Sequence, residues 1–198
     1  MTQSRFDTVI LQTKLFKTQL EWERWLAKNF NTSVGLWLRL AKKSSTLKSV
    51  TYLEALDSAL CYGWVDGQKR SYDEATWLQK FTPRTKSSIW SKINKGKALR
   101  LIDKGLMKPS GYAAIAQAKE NGRWKAAYGS QKTISVPRDF QNALNTNDRA
   151  KSFFAKLNSV NRYAILFRLQ TAKKAETRRQ RIDKFMAMLA EHKTIYPM

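Results

Sequence analysis

Residues 59–68, reading ALCYGWVDGQ, are where the chain changes its period. Upstream, Thr51 and Glu54 form a capping-box pattern. Leu53, Leu56 and Leu60 then put an apolar stripe on the helix that the box opens. Gly63 is placed to end it, because the residue just past a helix end commonly turns left-handed. Downstream, residues 64–70 and 76–81 suit two strands joined around Tyr72, Asp73 and Glu74 as an antiparallel hairpin, with Pro83 closing the sheet section. The expected fold is α+β and helix-rich: a small antiparallel sheet packed with helices in the N-terminal half, then an all-helical C-terminal module.

Outward from that stretch the patterns are regular. Residues 8–11 (TVIL) form a short β-prone run, and Thr18 with Glu21 repeats the capping box. Trp22, Trp25, Leu26 and Asn29 recur at helical spacing, which turns two Trp inward. Residues 34–40 alternate, with Leu36, Leu38 and Leu40 on one face of a strand and Trp37 and Arg39 on the other. Residues 42–49 are polar and read as a loop. After Pro83, helices are expected over 89–104, ending near Gly105, and over 112–120, stopped by Asn121 and Gly122. A polar connector spans 125–136. Pro137 then opens a helix carrying Phe140 and Leu144. Residues 148–157 supply Phe153, Phe154 and Leu157, and Ser159 caps a helix with Ile165, Leu166 and Leu169 buried. The last helix, from about Glu176, carries Ile182, Phe185, Met186 and Leu189 on one face. The expected organisation is a sheet-containing region over 1–124, a connector over 125–136 and a helical module over 137–198, together one compact unit. There is no internal repeat and no low-complexity tract.

The 198 residues suit one domain, and an apolar fraction of 42% with 7 Trp, 7 Tyr and 9 Phe supports a core and excludes disorder. Against 15 Asp and Glu stand 37 Lys and Arg, a net charge of +22 and a pI of about 10.3. Such a surface attracts polyanions: nucleic acid, anionic lipid or acidic protein. The cations are spread along the chain, with local clusters at Lys42 and Lys43, at Lys69 and Arg70, and at Arg178, Arg179 and Arg181. A generally solvated cationic surface and a dedicated polyanion site are both consistent with that distribution. The single Cys61 excludes an intramolecular disulfide and zinc sites built on several cysteines. His192 is the only histidine, near the end of a presumed helix, and reads as structural; no metal or other cofactor is expected. The opening MTQSRFDTVILQTKLF lacks the apolar core of a signal peptide, and no later segment suits a transmembrane span, so the expected location is the cytoplasm.

Several constellations could carry chemistry. Asp66 and Arg84 lie on or beside the hairpin strands, and an Arg partner would keep a partly buried Asp ionised. With Trp64, Trp90, Ser91 and Asn94 they could form a ligand pocket of aromatic walls and polar anchors. The alternative is an ion pair bracing the hairpin against the helix at Trp90. Cys61, near a helix end, could be a nucleophile; a lone Cys with no histidine nearby is more often a small buried apolar residue. Arg178, Arg179 and Arg181 beside an apolar stripe form a basic amphipathic helix suited to phosphate backbones or an anionic surface. Otherwise the stripe packs inward and the arginines pair with carbonyls or with acids such as Glu176 and Asp183. Aromatic and basic residues interleave over 77–84 and 123–128, which permits base stacking wherever the rings are exposed. Gly96, Lys97 and Ala98 lack the rest of a phosphate loop.

Ordered motifs run through nearly the whole chain: WERWL at 22–26, GLWL at 35–38, ALCYGWVDG at 59–67, FTPR at 81–84 and SIWSKIN at 88–94. GLM at 105–107, GRW at 122–124, Ala127 with Tyr128, and AKKAETRRQRI at 172–182 continue the series. Together they resemble the YdeI/OmpD-associated (OmdA, bacteriocin-protection) family of small bacterial proteins. The resemblance implies a link to envelope stress, to resistance against cationic peptides and to a porin. The favoured function is a non-enzymatic binding or stress- and antimicrobial-peptide-resistance protein, with a modest pocket at Asp66 and Arg84. One alternative is a charge-driven nucleic-acid-binding protein, which requires a one-sided basic face with exposed Trp or Tyr. Another is an enzyme using Asp66 as acid or base, which requires a deep cleft around it.

Overall fold

The computed structural model of the protein describes residues 10–198. Along them run β1 (Thr13–Lys14), α1 (Gln19–Asn29), β2 (Leu36–Ala41), α2 (Tyr52–Cys61), β3 (Trp64–Ser71) and β4 (Thr76–Pro83). Then come α3 (Lys92–Asp103), α4 (Pro109–Glu120), α5 (Arg138–Asn145), α6 (Asp148–Lys156), α7 (Ser159–Gln170) and α8 (Ala175–Ala190). The fold class is α+β, with the described strands in the N-terminal half and helices alone after them. Two compact units divide the chain. The first runs up to Ser88 and resumes over Gly96–Asn121; the second comprises Ile89–Lys95 and Gly122–Met198.

In the first unit the strand order is β1-β2-β4-β3. The hairpin β3–β4 and the pair β2–β4 are antiparallel as expected, but β1 lies parallel to β2, with Thr13 opposite Trp37. The sheet is therefore mixed. The helix α1 between β1 and β2 returns the chain to the end where it started, and such a crossover imposes parallel pairing. Thr8 and Val9 of the β-prone run lie outside the described residues; Ile10 and Leu11 are not in a strand.

Register sorts the sheet's faces. Leu36, Leu38 and Leu40 pair with Phe81, Gln79 and Trp77, so these six share one face. On it pack Trp22 and Leu26 of α1 and Ala55, Leu56, Ala59 and Leu60 of α2, all buried. Each fully buried leucine or phenylalanine contributes about 1.5–3 kcal/mol to this core. The buried indoles also find acceptors: Trp22 Nε1 donates to the Ala55 carbonyl at 3.0 Å and Trp64 Nε1 to that of Phe30 at 3.1 Å. Leu53, expected in the buried stripe, is 60% exposed, because the face of α2 that packs is centred on Ala55, Leu56, Ala59 and Leu60, leaving Leu53 at its margin.

The caps explain where the helices begin and end. Thr51 and Glu54 complete the expected box around the start of α2. At α1, Thr18 Oγ1 accepts from Glu21, but Glu21 reaches back to the Lys17 amide instead of closing on Thr18. Helix α3 starts at Lys92, three residues later than expected, because Ser91 Oγ accepts from the Asn94 amide at 3.0 Å. Helix α4 starts earlier, with Pro109 at its first position. Asn158, not Ser159, caps α7, its Oδ1 accepting from the Asn161 amide at 2.9 Å. Gly63 ends α2 with φ +76°. The bulge in β3 is the feature that periodicity misses: Asp66 pairs with Phe81 and Lys69 with Gln79, leaving Gly67 and Gln68 opposite Lys80 alone. The Gln79 amide satisfies the disturbed ladder by donating to the Gly67 carbonyl at 2.9 Å.

The core of the second unit is built from the apolar stripes of its helices: Phe140 and Leu144, Phe154 and Leu157, Ile165, Leu166 and Leu169, and Phe185 and Leu189. His192 follows α8 in a left-handed turn with φ +56°, its amide bonded to the Leu189 carbonyl and that of Lys193 to Met188. Its ring stacks on Phe153 with centroids 4.8 Å apart, a structural role. Among the described residues no helix is long and apolar enough to cross a membrane.

Candidate functional site

Where β2 ends, the loop over 42–50 turns back toward α2 and leaves a cavity of about 620 Å³ on the helix-bearing side of the sheet. Register sets Trp77 opposite Leu40, so its ring projects onto that face. Tyr52, the first residue of α2, meets it with centroids 6.1 Å apart and planes inclined by 48°. The Tyr52 hydroxyl donates to Asp66 Oδ2 at 2.8 Å, which aims the phenol from β3. The loop is pinned: Ser49 Oγ accepts from the Ala41 amide at 2.9 Å, and the Val50 amide donates to the Phe16 carbonyl at 2.9 Å. Leu40, Leu47 and Val50 complete an apolar lining, and Lys17, Lys42, Lys43 and Lys48 ring it without one acidic residue among the lining side chains. Lys42 is partly committed, donating to the Asp73 carbonyl at 2.8 Å. Lys69 Nζ stands 4.5 Å from the centroid of Trp77.

The volume is that of a small-molecule site. Ammonium groups on flexible stems act as point charges that tolerate many anion shapes. The aromatic and aliphatic lining favours a flat or apolar body. The chemistry that fits is an anion with such a body attached.

The six residues read from sequence as a pocket are distributed as follows. Trp64 is buried in the first core. Asp66 meets the lysine-ringed cavity through Tyr52. Arg84 follows β4, its backbone amide donating to the Gly63 carbonyl at 3.0 Å. Trp90 is buried edge-on against Trp124, with centroids 4.8 Å apart. Ser91 caps α3, and Asn94 in its first turn supplies the amide that Ser91 accepts. The first three belong to one compact unit and the last three to the other. Sequence reasoning missed Lys17, Lys48, Tyr52 and Trp77 as one lining. The available signal was the pair Lys42 and Lys43 with Lys48, bracketing the polar loop before the Thr51 cap.

Cys61 is buried, and its thiol is pushed up to about 11, first by that burial and then by the nearby Glu23 carboxylate. Near neutral pH the thiol therefore stays protonated, and the thiolate is what attacks. Iodoacetamide near neutral pH should alkylate Cys61 in the folded protein about 100-fold more slowly than in the urea-unfolded chain. Equal rates would mean that the thiol is accessible and ionised.

The terminal arginines have found structural partners. Arg178 holds Asp139 in a two-point pair, with Nη2 to Oδ1 at 2.9 Å, and also donates to the Leu169 carbonyl. Arg181 donates to the Arg168 carbonyl. Both thus donate to carbonyls in the last turn of α7, where a cation is also favoured by the helix dipole. The acid engaged is Asp139 on α5, not Glu176 or Asp183. Arg179 is exposed. The Arg178 hydrogen bond holds the Asp139 carboxyl below its ordinary 3.8, against the opposing pull of partial burial. A carboxyl depressed in the folded state adds stability that is complete above that ordinary value and is lost as pH falls through the folded one. Thermal melts from pH 6 down to pH 2 should therefore lose midpoint below about pH 4, and Asp139→Asn should flatten that acid limb. An identical limb in the variant would assign it to other carboxylates.

Comparison with known families divides the chain. Residues 14–114, just over half of it, match the family described as Domain of unknown function (DUF8412), and this stretch contains every residue lining the lysine-ringed cavity. Residues 133–192 match the family described as Bacteriocin-protection, YdeI or OmpD-Associated, which takes in α5 to α8 and the arginine cluster. Comparison with curated proteins and with solved structures gives no match. The chain belongs to the DUF8412 family through its sheet-bearing half and carries a C-terminal OmdA domain, that of the bacteriocin-protection, YdeI or OmpD-associated family.

Proposed function

We propose that this chain is a non-enzymatic binding protein that takes a small anion with an aromatic or apolar body into the cavity between Tyr52 and Trp77. The observation that carries this reading is the lining itself: two rings and the aliphatic side chains of Leu40, Ala41, Leu47 and Val50, with four lysines and no acid beside them. In it Asp66 aims the Tyr52 hydroxyl. The bacteriocin-protection description of the C-terminal domain suits a protein that acts in resistance to antimicrobial peptides by binding.

A titration with 2-naphthoate, followed by tryptophan fluorescence, tests the reading. Saturable binding is expected, with neutral 2-naphthol bound more weakly. Lys43→Ala with Lys48→Ala should weaken naphthoate about tenfold at low salt, since exposed lysines contribute up to about 1 kcal/mol each. Equal affinity for naphthoate and naphthol, or no effect of the double substitution, would remove the anion from the proposal.

A further inference from the structure

The opposite face of the same sheet carries a second arrangement, independent of the cavity. Register sets Trp37 opposite Lys80, and Leu78 between Arg39 on β2 and Arg70 on β3. All five project away from the face on which α1 and α2 pack. Not one residue that the register places on this face is acidic. Arg70 lies over the Trp37 ring at 4.5 Å, and Arg39 over the Tyr72 ring at 5.0 Å. Arg70 and Tyr72 are exposed, while Trp37 and Lys80 are half-buried. Asp73, at the hairpin turn, is occupied by Arg39 and by Thr76. The bulge leaves the Gly67 position bare beside Lys80, where an added Cβ would stand 3.7 Å from that of the lysine.

We infer that this face binds single-stranded nucleic acid, with bases stacking on the Arg70–Trp37 and Arg39–Tyr72 platforms and Lys80 holding the phosphate backbone. A cationic face with aromatic rings and guanidinium planes offers stacking to any base, so the binding is sequence-tolerant. A duplex hides its base faces and gains only the charge term. The chain's net charge of +22 attracts both forms, so their discrimination is the signature of the platform.

The test is fluorescence anisotropy with labelled oligo-dT, oligo-U and a duplex of the same length, over a salt series. Two charge-matched variants are compared with the natural chain: Arg70→Ala with Lys80→Ala on the sheet face, and Arg179→Ala with Lys184→Ala on α8. The sheet-face pair should lose about 10- to 100-fold in single-strand affinity, and its slope of log affinity against log salt should become shallower by about 0.7, the loss of the one phosphate contact at Lys80. The α8 pair should lose little, and the natural chain should prefer single strands to duplex. Arg70→Lys should fall between, because it keeps the charge and loses the stacking plane. The oligo-dT and oligo-U arms then separate DNA from RNA as the bound form. Equal losses in the two double variants, or equal affinity for duplex and single strand, would overturn the inference and leave charge alone.

Discussion

Gly111→Ala is expected to lower the stability of the first unit by about 3 kcal/mol, the upper end of what overpacking costs. Gly111 sits in the first turns of α4, where a Cβ would overlap the Cys61 carbonyl oxygen and Met107 Sδ. The thioether can swing aside; the carbonyl cannot. It belongs to the end of α2 and already accepts the Lys108 amide at 3.1 Å, so relief requires α2 and α4 to separate. Gly63, with φ +76° and the Ser110 carbonyl 2.7 Å from where a Cβ would stand, locks the same junction. Gly96 is the control. It lies in α3 with only the far end of Arg100 near it, so Gly96→Ala should gain about 0.5–1 kcal/mol from reduced unfolded-state entropy. Urea unfolding monitored by tryptophan fluorescence reads both, and equal midpoints for the two variants would contradict the packing described for α2 and α4.

Asn161→Ala should cost the second unit a comparable amount, about 3 kcal/mol. The side chain is fully buried and makes four bonds. Its Nδ2 donates to Asn158 Oδ1 and to the Tyr196 carbonyl at 3.0 Å. Its Oδ1 accepts from the amides of Ile195 at 3.1 Å and Tyr196 at 2.9 Å. One amide therefore ties the chain's last residues to the start of α7. Alanine removes every one of these bonds and releases the segment after α8, so trypsin should cut after Lys193 faster as the melting point falls. Asn161→Asp keeps the two accepted bonds and loses both donated ones, so it should fall between. An Ala variant with natural cleavage rates would mean that the segment is held by something else.

What was legible in the sequence is what a local period or a local cap determines. The alternation of Leu36, Leu38 and Leu40, the Thr51–Glu54 box, the Gly63 stop and the stripes of α5 to α8 each depend on residues within a turn or two. The rest depends on partners far along the chain. Strand β1 is two residues long, too short for any period, and its parallel pairing is imposed by the helix that follows. The bulge at Gly67 and Gln68 is stabilised by the Gln79 side chain across the hairpin. Arg178 was visible as a cation, but Asp139, its partner, lies 39 residues away. The cavity is harder still, because Lys17, the loop over 42–50, Tyr52 and Trp77 converge only once the β2–β4 register is set. Asp66, named from sequence, reaches the cavity through the hydroxyl of Tyr52, a contact set by the pairing of β3 with β4 and not by any local pattern.

The most direct test of the binding reading is a nitrogen–proton NMR titration of the labelled chain with 2-naphthoate, following every backbone amide and all seven indole signals. The account predicts saturable shifts confined to the Trp77 indole, Tyr52 and the loop over 42–50, with the buried indoles of Trp22, Trp64, Trp90 and Trp124 unmoved. Small, non-saturating shifts scattered over lysines and arginines along the whole chain would contradict it, and would make the +22 charge a general attractant with no built site behind it.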